Sequence, residues 1–396
     1  MRLRYRTPVT VFLNVTARCN LSCVYCSADA GRARHDELDD GEMHRLVDEL
    51  LEHRVLQVII TGGEPLIRRD TLDVVATLRQ ANVAVQINTN GTLLSRRTCE
   101  RLKTLGIRRV SVSLDGPADV NRLTRGAGSF GAATRGIRAL VAAGIKPLVL
   151  CTLNRHNMHA LEATVEHCRQ AGASGLSINP LSAVGRGLLC HDELSLEDRE
   201  WHLAVQSVRR LQAAYAGFVH EGFCHWSDYP HAVEKAEPRG AGNPARVRFL
   251  LPCDAAKTFC AVTPDGWVLP CNKFATYRCG NVRTESLSAI WQGDAMERIR
   301  SLAGCPVTEA RTCSACRYTV VCSGGCRAEA YGAFGTLDAP DPTCAVLPDS
   351  AIHALRSSMR QPAAQLPVAA PSSNPVSGTG WPATSDSVVV SIAKPS

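Results

Sequence analysis

The hydrophobic positions change period along the chain. Short apolar, β-branched runs occur at Thr10–Val15, Gln57–Thr61, Val83–Asn88, Val110–Leu114, Leu148–Leu153 and Leu176–Asn179, and these read as strands. Between them, apolar residues recur at helical spacing in Glu42–His53, Thr71–Gln80, Arg97–Leu105, Gly131–Ala143 and Met158–Ala171. Gly106, Gly144 and Gly172 stand where three of these helices should end. Six strands alternating with helices predict an α/β fold with a parallel sheet, curved into a partial (β/α)6 TIM-type barrel. Such sheets bind ligands at the carboxyl ends of their strands. The residues that follow each strand are therefore the ones to read for chemistry.

The pattern then weakens. Ser195–Tyr215 reads as one more amphipathic helix, and Gly217–Arg246, richer in His, Gly and Pro, as a bridge between two domains. Pro252–Cys344 holds ten of the chain's 18 cysteines and few long periodic runs. Such a region is expected to be held by metal more than by a hydrophobic core. Ala345–Arg360 reads as a closing helix, and Gln361–Ser396, rich in Pro, Ser, Ala and Gly with almost no charge, as a disordered tail. The expected division is 1–245 for barrel and linker, 246–350 for a small cysteine-rich α+β domain, and 351–396 for the tail.

Composition sharpens one point. Cysteine makes up 18 of 396 residues, too many for an ordinary enzyme and too few for a disulfide scaffold. No apolar run is long enough to span a membrane, and Val11–Val15 is too short, and broken by Asn14, to be a signal peptide. The chain is therefore expected in the cytoplasm, where thiols stay reduced and favour metal or cluster ligation over disulfides. The net charge of +7 is spread without a long basic run, so neither nucleic acid nor a membrane surface is implied.

The first cysteine cluster, Cys19-Asn-Leu-Ser-Cys23-Val-Tyr-Cys26, directly follows the first strand. Three thiolates on one loop can share a four-iron cluster and leave one iron open for a ligand. Structural zinc needs a fourth ligand, for which His35 is the nearby candidate. Further motifs follow the next strands: Thr61-Gly62-Gly63-Glu64-Pro65, Asn88-Thr89-Asn90-Gly91, and Ser111-Val-Ser113-Leu-Asp115-Gly116 with Arg125 downstream. In the second region Cys253 is followed by Gly266 and Cys271, then by Cys313-x2-Cys316-x5-Cys322-x3-Cys326 and Cys344, with an additional Cys260. On spacing alone this second set suits zinc ribbons as well as iron–sulfur clusters.

Taken together and in order, these motifs resemble the radical S-adenosylmethionine (SAM) enzymes that carry a C-terminal SPASM domain. The resemblance spans about residues 9–350. It implies that Cys19, Cys23 and Cys26 hold a catalytic [4Fe–4S] cluster, and that Gly62, Gly63, Glu64, Ser113 and Arg125 line SAM. It implies two auxiliary clusters, one on Cys253, Cys260, Cys271 and Cys326 and one on Cys313, Cys316, Cys322 and Cys344, making three in all. The implied chemistry is reductive cleavage of SAM to a 5′-deoxyadenosyl radical that abstracts hydrogen from an unactivated carbon.

Sulfatase-maturing members carry an Asp after the cysteine equivalent to Cys271, where it acts as base; this chain has Asn272, a very poor proton acceptor. Gly280-Asn281-Val282-Arg283 and Ala289-Ile290-Trp291 are similar to the peptide-maturing members. The resemblance thus points to an oxidoreductase that modifies a ribosomally made peptide, by a crosslink or another oxidation, with a flavodoxin- or ferredoxin-type electron donor. The alternatives are a radical SAM dehydrogenase acting on a small molecule or on a protein Ser or Cys, and a zinc-bound scaffold without activity. Because the first strand begins near Thr10, a leader peptide is expected to be read by a separate protein or by the chain's own surface. No general base is named; Asp115 and Asp254 are candidates that serve equally as turn or capping residues.

Overall fold

The computed structural model describes residues 5–222, 253–302, 313, 316, 322 and 324–344. The closing helix, the tail, most of the expected bridge with the boundary at 245/246, and the thiols of Cys224 and Cys305 lie outside the described residues.

Seven parallel strands follow one another: β1 (Thr10–Asn14), β2 (Gln57–Thr61), β3 (Ala84–Thr89), β4 (Arg109–Ser113), β5 (Leu148–Leu153), β6 (Gly175–Pro180) and β7 (Val219–Glu221). Helices Asp40–Glu52, Thr71–Gln80, Arg96–Thr104, Ser129–Ala142 and Leu161–Gln170 alternate with the first six strands, giving the partial TIM-type barrel that the periodicity predicts. Local chemistry fixes the ends. Asp39 and Glu42 form a reciprocal capping box at the start of the first helix. Gly106, Gly144 and Gly172 close helices in the left-handed region at φ +70°, +86° and +85°.

Several short elements escape the periodicity, two of them among the barrel's strands and helices proper. Helix Ala118–Arg125 buries Asn121 and Thr124 beside Val120, so its inward face carries no apolar stripe to detect. β7 has only three residues.

The cysteine-rich region is not a separate body held by metal alone. Its strands β8 (Phe259–Val262), β9 (Trp267–Leu269) and β10 (Gly280–Asn281) extend the barrel's sheet, so the order among the described residues is β10-β9-β8-β1-β2-β3-β4-β5-β6-β7. β8 lies parallel to β1, in register Thr10↔Phe259 through Leu13↔Val262. Behind it, Phe274, Leu287, Ile290, Trp291, Met296 and Ile299 are buried in the same apolar core as Val11 and Leu13. The expectation of a poorly cored domain fails because these residues are scattered over short elements that only the folded chain brings together. Trp291 is tied down further, its indole N–H donating to the Tyr5 carbonyl at 2.9 Å. Among the described residues no helix is long and apolar enough to cross a membrane.

One ion pair staples the seam from outside. Arg283, beside β10, donates to both oxygens of Glu42 at 2.7 and 2.9 Å. These hydrogen bonds pull the Glu42 carboxyl down to about 2, from an ordinary value of 4.5. A depressed carboxyl stabilises the fold above its unfolded pKa and loses that contribution as pH falls through the folded one. Glu42→Gln, which keeps the capping box, is therefore expected to lower stability at pH 7 by no more than about 1 kcal/mol. The gap to wild type should close between pH 4.5 and about 2 in urea melts.

Candidate active site

The carboxyl ends of β1 to β6 converge on the loop that carries Cys19, Cys23 and Cys26. All three cysteines are half-buried free thiols. Polar groups face their sulfurs. Leu21 N–H donates to Cys19 Sγ and Ala30 N–H to Cys26 Sγ, both at 3.4 Å, and Asn90 Nδ2 lies 3.8 Å from Cys19 Sγ. Arg125 Nη1 lies 4.0 Å from Cys23 Sγ. Burial raises the Cys19 and Cys23 thiols above their ordinary value, while these donors act the other way. Such thiols become thiolates readily only when a cation arrives, which is the behaviour of cluster ligands. His35, the candidate fourth ligand for zinc, has its side chain 98% exposed and paired with Asp36.

The Gly62-Gly63-Glu64-Pro65 motif directly follows β2, and its glycines approach the backbone at the start of the cysteine loop closely. Gly63 N–H donates to Thr16 O at 2.7 Å and Glu64 N–H to Arg18 O at 2.8 Å. A methyl group on Gly63 would stand 2.2 Å from the Arg18 carbonyl oxygen, and one on Gly62 2.5 Å from that of Thr16. Gly62 also holds a φ of +136°. Glu64 is fully buried. It accepts from Thr89 Oγ1 (2.7 Å), Asn90 N–H (2.8 Å) and Leu66 N–H (3.2 Å). A carboxylate has about four acceptor sites, so one remains. Burial raises its pKa against the pull of these donors.

Ser113 is the half-buried last residue of β4, and Arg125 ends the helix that follows. Between them Asp115, fully buried, accepts from Arg125, Thr124, Tyr25 and the Thr152 amide. Its saturation removes it as a general base.

Several supports of the site carry no motif. Arg186, just beyond β6, donates to the carbonyls of Cys23 (3.0 Å) and Ala30 (2.8 Å) and to Asp29 (2.7 Å). Its Nη2 is buried without a partner, a donor that suits an acceptor such as cluster sulfide. Glu37 accepts from Thr16 Oγ1 and Ala17 N–H at 2.9 and 2.8 Å, closing the base of the loop. The only sequence signal for either was its place beyond a strand end or beside the cysteines.

In the second region Cys271 has both Cys253 and Cys326 as neighbours, and Lys273 lies beside Cys271 and Cys326, its ammonium pairing with Glu329 at 3.0 Å. Burial raises the Cys271 thiol to about 11. Asp341 braces this group by accepting from Cys326 N–H at 2.6 Å and Thr343 N–H at 2.8 Å. Cys260 lies on β8 in the apolar core, and its thiol neighbour is Cys279. Cys313 is buried, and Cys316, Cys322 and Cys344 are half-buried; most of the chain linking Cys313, Cys316 and Cys322 lies outside the described residues. Asp254 opens a turn, its carbonyl accepting from Lys257 and Thr258 N–H. Of the other cysteines, Cys99, Cys151 and Cys168 are buried core thiols, and Cys190 packs against the cysteine loop through the Val24 carbonyl.

The profile of the radical SAM superfamily matches residues 13–168, and that of the SPASM iron–sulfur cluster-binding domain residues 253–317. The Fe-coproporphyrin III synthase of Methanosarcina barkeri is 30% identical over 351 residues, covering 86% of this chain and 88% of the relative. The chain belongs to the radical SAM superfamily. As a SPASM-bearing radical SAM enzyme it uses S-adenosylmethionine and iron–sulfur clusters. The mycofactocin maturase MftC of Mycobacterium ulcerans is also 30% identical, over 346 residues, covering 85% of this chain and 88% of MftC. In fold, the chain matches Streptococcus suis SuiB bound to its precursor peptide SuiA with a TM-score of 0.68 at 18% identity, covering 85% of this chain and 75% of SuiB.

The glycine contacts give a direct test. Gly63→Ala forces the cysteine loop off β2, so the purified chain should take up less iron than wild type after anaerobic reconstitution while keeping its far-UV circular dichroism. Full iron content in this variant would mean that the loop adapts.

Proposed function

We infer that this radical SAM enzyme modifies a ribosomally made precursor peptide, joining or oxidising unactivated carbons. The observation that carries the reading is the β1–β8 seam, which packs the buried Cys271, with the half-buried Cys253 and Cys326 against it, into the same apolar core as β1, the strand that leads into the cysteine loop. Likeness to a mycofactocin maturase and to a fold solved with its precursor peptide supports a peptide as substrate.

In this reading Cys19, Cys23 and Cys26 hold the catalytic cluster, and Gly62, Gly63, Glu64, Ser113 and Arg125 line SAM. Cys253, Cys271 and Cys326 hold one auxiliary cluster, to which the sequence pattern adds Cys260; Cys313, Cys316, Cys322 and Cys344 hold the other. Bound there, SAM and the reduced catalytic cluster supply a carbon-centred radical that abstracts hydrogen. The protein's part is to orient and to exclude water. Arg125 and the remaining acceptor site of Glu64 offer opposite charges to the carboxylate and ammonium of a methionine moiety. The electron donor is a flavodoxin- or ferredoxin-type protein.

A second reading has its own support, because one relative of similar identity is named for a porphyrin, a small molecule. Anaerobic turnover separates the two. Short peptides encoded beside this gene should yield 5′-deoxyadenosine and a product lighter by two hydrogens. Turnover of an iron porphyrin with none of any peptide would carry the second reading instead. Reconstituted wild type should hold about twelve irons, as three four-iron clusters require. Cys23→Ala is expected to abolish SAM cleavage. Cys316→Ala should lose about four irons and keep some abortive cleavage. Equal loss of cleavage in both would count against separate roles for the clusters.

A further inference from the structure

Five donors converge on the two oxygens of Asp115. Oδ2 accepts from the Tyr25 hydroxyl, from Thr124 Oγ1 at 2.8 Å and from Arg125 Nε at 2.9 Å; Oδ1 accepts from Arg125 Nη2 at 3.2 Å and from Thr152 N–H at 3.0 Å. These donors come from separate parts of the fold. Tyr25 lies in the cysteine loop between Cys23 and Cys26, Thr124 and Arg125 end one helix, and Thr152 is on β5. Because Asp115 engages Nε and Nη2 of Arg125 together, the guanidinium cannot swivel. Its remaining arm, Nη1, is left facing Cys23 Sγ at 4.0 Å, and its carbon lies 5.5 Å from the centre of the Tyr25 ring.

A buried charge that lacks its partner is felt strongly, because the surrounding dielectric is low. Here the pair is complete: one carboxylate and one guanidinium, both out of water. Each alone would bias an electron arriving at Cys23; together they nearly cancel. We propose that Asp115 is a positioning residue, which aims Arg125 at the Cys23 side of the catalytic cluster and sets, through the balance of the pair, the potential at which that cluster accepts its electron. The proposal rests on the cluster assignment made above for Cys23. It gives Asp115 a role other than that of a base, which its saturated oxygens forbid.

The test uses the full chain, anaerobically reconstituted with iron and sulfide, as wild type, Asp115→Asn, Arg125→Gln and Thr124→Val. The readout is the midpoint potential of the cluster whose EPR signal responds to added SAM, with iron content measured alongside. Asp115→Asn removes a negative charge and should move the potential positive. Arg125→Gln removes a positive charge and should move it negative. Thr124→Val removes a donor to the same carboxylate without changing charge and should leave the potential in place. SAM should bind roughly tenfold more weakly to Asp115→Asn, the loss of one charge-assisted hydrogen bond's orientation.

A loosened fold would not produce shifts of opposite sign, so that signature separates positioning from packing. An unmoved potential in Asp115→Asn, or a shift in the same direction as Arg125→Gln, overturns the proposal. If Asp115→Asn takes up no iron, the comparison of Arg125→Gln with Thr124→Val decides, and equal potentials in those two overturn it. A wild-type chain that takes up no cluster overturns the cluster assignment itself, and the proposal with it.

Discussion

The cysteine loop has no regular structure of its own, and its shape is imposed by the backbone of β2's terminal residues. Two main-chain hydrogen bonds, Gly63 to Thr16 and Glu64 to Arg18, run alongside the loop at a separation that no side chain at either glycine would permit. Such hydrogen bonds are strong only where the groups are shielded and no alternative partner is at hand. The fully buried Glu64 supplies the shielding, tying the end of β3 to the same junction. The positions of the three thiols therefore follow from sheet register, the least deformable feature of the fold.

Charge beside the cysteines is paired. Asp115 with Arg125 is buried near the junction, and in the second region the buried Glu329 is neutralised by the partly exposed Lys273. Buried pairs contribute little net stability, since desolvation offsets their attraction. Their value lies in geometry: each couples a cysteine-bearing segment to a strand or helix otherwise remote in sequence. A run of contacts even links the two cysteine regions. Arg186 grips the cysteine loop, and three residues earlier Ala183 N–H reaches the Glu329 carboxylate at 3.5 Å.

The barrel was legible in the sequence because its six strands are apolar and its helices amphipathic, and the motifs lie where the strands end. The chemistry of the motifs was legible less completely. Gly62 and Gly63 read as residues that line a cofactor, and the sequence did not show that they also make room for two carbonyls of the same chain. Asp115 read as a base or a turn residue, because a sequence does not show how many donors will meet one carboxylate. Arg186, Glu37 and Asp341 gave no reading at all, since each acts on backbone groups of a loop that folding alone brings within reach. The packing of Trp291 against the N-terminal segment escaped for the same reason.

The pairing of β8 with β1 has a consequence for how the molecule is made. Strand pairing across about 250 residues is slow to form and late to reward. On the ribosome, β1 can meet β2 early, yet its other edge stays open until almost the whole catalytic region and the linker have been synthesised. An open edge invites pairing with other chains, and nascent proteins in that condition are the ones that aggregate or need a chaperone. The cysteine loop hangs from the end of this half-paired strand. The order of events is thereby set by topology: the cysteine-rich segment must arrive and seal the sheet before that loop rests on a finished foundation.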